Sequence, residues 1–66
     1  MARDTEPDGE ILFEFTRIGA QMRVAAIHSA SGTEVVVIAP VSATQQQMQQ
    51  IAIAKLRRRM HQAEPR

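Results

Sequence analysis

The chain has 66 residues and a mass of 7.3 kDa, which allows one small domain near the lower limit for independent folding. Apolar residues make up 44% and charged residues 23%, a balance typical of globular chains rather than disordered ones. The lack of cysteine excludes disulfides, and no apolar run approaches the roughly 18 residues of a transmembrane helix. Because the first residues are acidic and polar, unlike a secretory signal, we expect a cytoplasmic protein that does not insert into membranes.

The first element in chain order is an acidic segment, residues 1–9, that lacks apolar periodicity and is interpreted as a disordered tail. Residues 10–17 then alternate apolar and polar side chains, which predicts a half-buried strand. Both aromatic residues of the protein, Phe13 and Phe15, are two apart and therefore share one face of this strand. Gly19 favours a turn after it.

Two further strands are predicted between this turn and Pro40. Residues 22–28 alternate in the same way, and the polar loop that follows ends in Gly32, which is consistent with a hairpin. Residues 33–39 are almost entirely β-branched and predict a third strand. Pro40 ends this strand because it lacks the N–H that a strand ladder needs.

A single helix is predicted near residues 43–61, since nothing in this stretch breaks a helix. Two capping boxes fit its start, one from Ser42 to Gln45 and one from Thr44 to Gln47, and both alternatives stay open. At 100° per residue, one broad apolar face covers the positions Met48, Ile51, Ala52, Ile53, Leu56 and Met60.

The predicted fold class is α+β: a three-stranded antiparallel meander followed by one C-terminal helix packed on the sheet (β-β-β-α). We expect a single domain over residues 10–62 and a disordered C-terminus at 63–66. The predicted core comprises Phe13, Phe15, Val24, Ala26, Val37, Ala52, Leu56 and Met60.

The third predicted strand gives a reason to expect a homodimer. Its residues Val35, Val36, Val37 and Ile38 are apolar on both faces, and natural proteins protect such strands when they form a sheet edge. One helix covers only one face of the sheet, so either this strand pairs with its counterpart in a second copy or a partner covers the exposed face, and a symmetric dimer does both most economically. The alternative is that Val35 or Val36 is simply exposed. These four residues form the candidate dimer interface.

Five short runs between Glu10 and Met60 form a recognisable set of strand and turn patterns: Glu10–Phe15, Arg17–Gly19, Val24–Ile27, Ser31–Val35 and Ala54–Leu56. Together they resemble a family of short, uncharacterised alphaproteobacterial proteins of unknown function. The specificity of these patterns is moderate. The resemblance implies no activity, because no activity is established for that family.

The residues indicate no catalytic, cofactor or metal site, and we expect the protein not to be an enzyme. His28 is interpreted as a partly exposed residue at a strand end, and His61 as a cation at the helix C-terminus. Turn roles account for Ser29 and Ser31. The glycines are isolated, so no loop cradles a phosphate.

Charge is unevenly distributed along the chain. Residues 1–15 contain five carboxylates and one arginine, whereas residues 42–66 contain five cations and one carboxylate. A possible interaction patch therefore lies at the helix end and comprises Lys55, Arg57, Arg58 and Arg59.

Four interpretations of this cluster stay open: a solvated helix end that suits the macrodipole, a nucleic-acid contact, a contact with an acidic protein, and a contact with an acidic membrane surface. The leading hypothesis is a small, non-catalytic, homodimeric protein-interaction module. The alternative is a nucleic-acid-binding module that uses the basic C-terminal helix. Since no aromatic residue lies within the cluster, stacking on bases is not expected.

Overall fold

The computed structural model describes residues 2–6 and 9–63 and contains a four-stranded antiparallel meander with one helix packed on it. The predicted α+β architecture with a C-terminal helix on the sheet is confirmed. Met1, Pro7, Asp8 and residues 64–66, which belong to the two segments predicted to be disordered, lie outside the described residues. The elements are β1 (Ala2–Glu6), β2 (Gly9–Ile18), β3 (Gln21–His28), β4 (Glu34–Pro40) and α1 (Gln45–Ala63).

The strand β1 corrects the sequence prediction, because it lies within the segment that was expected to be a disordered tail. Its backbone pairs with β2 from Ala2↔Phe13 to Glu6↔Gly9. An edge strand obtains its hydrogen bonds from the backbone of its neighbour, so it needs no apolar alternation of its own. Consequently both β2 and β3 are interior strands, and β1 and β4 are the two edges of the sheet.

The core lies between α1 and one face of the sheet. In β2 the residues Ile11 and Phe13 are buried and Phe15 is partly buried, as the alternation predicts. The side chains of β3 and β4 that lie opposite them in the register complete this face. The buried cluster comprises Ile11, Phe13, Val24, Ala26, Val35, Val37, Ala39, Met48, Ala52 and Leu56.

Most of the predicted core is therefore found where the sequence placed it. Six of the eight predicted residues belong to the buried cluster, and the other two, Phe15 and Met60, are partly buried and pack against it. The rings of Phe13 and Phe15 are stacked, with their centroids 6.4 Å apart.

The start of α1 is defined by the second of the two capping boxes. The backbone N–H of Gln47 donates to Oγ1 of Thr44 at 3.0 Å, and the N–H of Thr44 donates to Oε1 of Gln47 at 2.9 Å. These reciprocal bonds satisfy two donors at the helix start. The helix thus begins two residues later than predicted. Its apolar face is also narrower than predicted, because Ile51 is 53% exposed.

Gly9, at the start of β2, is held in a conformation that few other residues adopt. Its φ is +141°, and an added Cβ would lie 3.0 Å from Cβ of Ala30 and 3.2 Å from Nε2 of His28. We expect Gly9→Ala to lower the free energy of unfolding by about 1–3 kcal/mol through backbone strain, with the steric conflict adding to this loss. Urea unfolding followed by circular dichroism measures the change.

The matched control is Gly19→Ala, where φ is +61° and nothing lies within 4 Å of an added Cβ. This variant carries only the left-handed backbone cost of about 1–2 kcal/mol. Equal losses in the two variants would mean that the close approach of the added methyl group to Ala30 and His28 adds nothing to the backbone cost.

Candidate functional site

The face of the sheet that α1 does not cover is a mixed apolar and charged surface, here called the open face. In the register, Leu12 lies beside Ile27, and Ala25 lies beside Val36. Ala25 is only 1% exposed although no helix covers it, because the side chains around it shield its small methyl group. Ile38, on the same face, is 54% exposed. The open face therefore has an apolar centre in contact with water.

Several charged residues accompany this apolar centre, and Glu10 is one of them because it lies two positions from Leu12 in β2. Glu14 lies beside Ala25, Arg23 lies beside Ile38, and Glu34 lies beside Ile27 in the register. Arg23 is thus diagonal to Glu14 in the register, two positions along β3 from Ala25. A surface that carries both signs at separate positions has the charges for contact with a second copy of itself.

The outer edge of β4 presents backbone groups that β3 does not use. The N–H of His28 donates to the carbonyl of Thr33 at 2.8 Å. Counted from this hydrogen-bonded pair, every second residue of β4 (Val35, Val37 and Ala39) bonds to the backbone of β3. Because the pairing alternates along an antiparallel strand, Val36 and Ile38 direct their N–H and C=O groups outward. Pro40 occupies the next outward position and has no N–H to offer.

Lys55 of α1 closes part of this edge. Its Nζ donates a hydrogen bond of 2.8 Å to the carbonyl of Val36, 19 residues earlier in the chain. A lysine at an exposed strand edge is one of the devices that hinder pairing with other strands. The N–H of Val36 and both backbone groups of Ile38 are not part of this bond.

A groove runs between α1 and the edge of β4, and it is here called the β4 groove. Its two ends differ in character and share Ile51 and Ala54. The apolar end, near the helix start, is lined by Ile38, Ala39, Pro40, Ala43, Ile51 and Ala54, with two glutamines. The basic end is lined by Val37, Ile51, Ala54, Lys55, Arg58 and Arg59, with Gln62.

The candidate dimer residues do not share one surface. Val35 and Val37 are 3% and 8% exposed and belong to the core beneath α1, which corrects their assignment to an interface. Val36 is partly buried and Ile38 is exposed, and both lie on the open face. The cause is strand alternation: a stretch that is apolar on both faces gives no sign of which face the helix covers.

The four basic residues predicted as an interaction patch are all exposed, but they separate into two groups. Lys55, Arg58 and Arg59 line the β4 groove. Arg57 lies outside that lining, as expected from the helical spacing.

His28 is buried rather than partly exposed, which corrects the sequence interpretation. It is 4% exposed, and its Nδ1 lies 2.8 Å from Oγ of Ser31 and accepts the backbone N–H of Ser31 at 3.3 Å. The same Oγ donates to Oγ1 of Thr33 and accepts the N–H of Thr33. These bonds use Nδ1 of the imidazole and the Ser31 hydroxyl to hold the β3–β4 turn, which is a structural role. His61 is exposed in the last helical turn.

Sequence reasoning missed the contribution of Ile51 and Pro40 to the groove. Two features of the sequence bear on this contribution. Pro40 lies at the end of the third predicted strand, and Ile51 lies at the margin of the apolar face of the helix. Both contributions depend on where the helix lies across β4, which the sequence does not state.

Two further features bear on the kinds of site available. Within residues 9–63, no three His, Asp or Glu side chains converge to form a metal site. In the part of the chain that the structure describes, the only helix, α1, is not apolar enough to span a bilayer.

The comparisons with known proteins agree with an uncharacterised family. No curated protein and no solved structure is significantly similar to the chain. A family model described as a domain of unknown function, DUF6898, matches residues 8–63, which include β2, β3, β4 and α1. The chain therefore belongs to the DUF6898 family of domains of unknown function.

Proposed function

We propose that this chain is a small, non-catalytic protein-interaction module of the cytoplasm that forms a homodimer through its open face. The observation that carries the proposal is the apolar centre of that face, formed by Leu12, Ala25, Ile27, Val36 and Ile38. No element within the described residues covers it. Packing of two sheets face to face is a common way to cover such a surface.

The charges of the open face support a second copy as the occupant. In a two-fold arrangement the same surface meets itself, so Arg23 of one copy can lie against Glu14 or Glu34 of the other. A face with only one sign of charge would repel itself. The mixture therefore favours self-association over binding to a strongly charged partner.

Size gives a further reason for a dimer. A domain of this length buries only about 60% of the surface of its unfolded chain, so its own core is marginal. Without cysteine, the protein has no disulfide to compensate. Burial of the open face in a dimer adds apolar contacts without requiring a longer chain.

Pairing of two β4 edges is the less favourable geometry for this dimer. Two-fold pairing near Val36 would bring the cations Lys55 and Arg58 of both copies close together. It would also require Lys55 to release the Val36 carbonyl. Like charges and a lost hydrogen bond both oppose such a contact.

Nucleic-acid binding is the second candidate function, favoured by Lys55, Arg58 and Arg59 lining one groove. The other end of the groove is apolar, and both aromatic residues, Phe13 and Phe15, belong to the core or pack against it. The groove thus lacks the aromatic surfaces that bind bases by stacking. This candidate therefore ranks below protein interaction.

The expected result for the dimer is a sedimentation equilibrium mass of about twice 7.3 kDa at micromolar concentration. Val36→Lys and Leu12→Lys each place a charge at the centre of the contact, where desolvating it is costly. We expect both variants to be monomeric, with the circular dichroism spectrum of the folded protein.

Val41→Lys is the matched control, because Val41 is 40% exposed and lies beyond β4, away from the open face. This variant is expected to remain a dimer. A wild-type protein that is monomeric and folds cooperatively at these concentrations would refute the proposal, as would dimers of both open-face variants.

A further inference from the structure

We propose that the β4 groove binds an extended acidic segment of another protein, which adds to the sheet as a strand beside β4. The proposal deepens the interaction role by naming the chemistry of a partner. It does not depend on the dimer, because the groove and the open face are separate surfaces except at Ile38.

The first support is the backbone of β4. Val36 and Ile38 direct N–H and C=O groups away from β3, and an added strand finds its main-chain hydrogen bonds in such groups. Pro40 limits the length of this edge, because the outward position that it occupies has no N–H. The edge therefore suits a short segment rather than a long strand.

The second support is charge. Lys55, Arg58 and Arg59 line the end of the groove nearest Val36 and Val37, and all three are exposed. A strand lying in the groove would place its alternate side chains against α1. Carboxylates at those positions would meet three cations, which is why the segment is expected to be acidic.

The third support is the bond from Lys55 to the Val36 carbonyl, 2.8 Å long. An incoming strand replaces this bond with one from its own N–H, and the released ammonium then needs a new acceptor. A carboxylate of the segment supplies that acceptor. A neutral strand leaves the ammonium with water alone, so the lysine selects against it.

The arrangement also sets the order of side chains in a segment that pairs antiparallel to β4. The helix runs antiparallel to β4, because Ile51 lies near Ile38 and Pro40 while Lys55 reaches back to Val36. A strand antiparallel to β4 therefore begins at the apolar end of the groove and finishes at the basic end. We expect apolar residues at its amino end and carboxylates at its carboxyl end.

A second copy of this chain is a poorer occupant of the groove. Its own β4 would bring a second set of the cations Lys55, Arg58 and Arg59 to the same place. Charge thus separates the two surfaces: the open face carries both signs and the groove carries one.

The test uses the whole protein and a fluorescent synthetic peptide with valines at the amino end, threonines between, glutamates at the carboxyl end and blocked termini. We expect saturable binding by fluorescence anisotropy that weakens as salt increases. A peptide with glutamine in place of glutamate is expected to bind at least tenfold more weakly. Absence of saturable binding of the acidic peptide would overturn the proposal.

The charge requirement is tested on the protein by Arg58→Glu with Arg59→Glu, which should weaken peptide binding at least tenfold. Arg57→Glu is the matched control on the same helix but outside the groove lining, and it should change affinity less than twofold. An equal loss in the control would indicate non-specific attraction to the helix end and contradict the proposed site.

Addition as a strand has its own readout. Hydrogen exchange of the Val36 and Ile38 amides should slow at least tenfold when the peptide binds, whereas the Val35 amide, already directed toward β3, should change little. N-methylation of alternate peptide residues should abolish binding without any change in the protein. Unchanged exchange at both outward amides would refute the strand geometry.

The remaining occupants are outcomes of the same experiments. Tighter binding of a duplex or single-stranded oligonucleotide than of the acidic peptide at equal salt, lost in the Arg58 and Arg59 variant, would replace the proposal with nucleic-acid binding. Dissociation of the dimer by that variant would identify a second copy as the occupant. A wild-type monomer that still binds the peptide would refute only the dimer.

Discussion

Replacing Phe13 with alanine is expected to leave much of the protein unfolded at 25 °C. Phe13 is 1% exposed and is among the largest fully buried side chains. Its truncation costs roughly 3–5 kcal/mol through lost burial and the cavity left behind. A chain of this length has a total stability of about 0.05–0.15 kcal/mol per residue, so the loss is comparable to the whole. Urea unfolding at fixed protein concentration measures it.

Phe15 provides the matched control, because it is the same residue type on the same face of β2. Its ring stacks on that of Phe13 but is only partly buried. We expect Phe15→Ala to cost less, since part of the ring remains in contact with water in the folded state. Losses of equal size would mean that burial beneath α1 does not set the energetic importance of these rings.

Leu56→Ala is expected to lower the free energy of unfolding by about 2–5 kcal/mol. Leu56 is 0% exposed on the face of α1 that packs on β3 and β4. The lost side chain leaves a cavity in the contact of α1 with β3 and β4, and the cost within this range depends on how far the helix moves to fill the cavity. Chemical unfolding followed by circular dichroism gives the change directly.

Ile51→Ala, on the same helix, should change the free energy of unfolding by no more than about 0.5 kcal/mol, because Ile51 is 53% exposed. The pair thus tests the rotation of α1 about its axis. A larger loss for Ile51→Ala than for Leu56→Ala would mean that the helix face containing Ile51, and not the one containing Leu56, packs against the sheet.

The Ile51 substitution also separates stability from the proposed groove. Ile51 is shared by the apolar and basic ends of the β4 groove. Its truncation is therefore expected to weaken binding of the acidic peptide while leaving the fold intact. An exposed apolar side chain such as Ile51 contributes little to the core but is available for contact with a partner.

The sequence by itself determined the elements that carry their own periodic signal. Ile11, Phe13 and Phe15 recur at every second position, and that period is compatible only with a strand that has one buried face. The β-branched run from Val35 to Ile38 needs an extended backbone for the same local reason. These elements were predictable because steric preferences and side-chain alternation act within a few residues.

The helix was predictable on the same grounds, and its start was narrowed to two alternatives. Thr44 and Gln47 form the capping box that the structure contains. Ser42 and Gln45 fitted the template equally well, because the choice depends on where the chain leaves β4 and meets the sheet. Local propensity therefore found the element but not its first residue.

Tertiary structure alone decided which faces are covered and which edges are paired. The edge strand Ala2–Glu6 pairs with the backbone of β2, and its own residues show no apolar alternation that would predict a strand. Likewise, Val35 and Val36 are chemically identical, and only the position of α1 makes one core and the other surface.

The contacts that define the candidate site were beyond the sequence for the same physical reason. Lys55 and Val36 are 19 residues apart, and His28 is buried where the β3–β4 turn bonds to its ring and Gly9 of β2 lies close to it. Local composition sets what each segment prefers, whereas burial and long-range hydrogen bonds depend on how the segments pack. The sequence thus determined the strands, the helix and the charge distribution, and packing of α1 across β4 decided where a partner can bind.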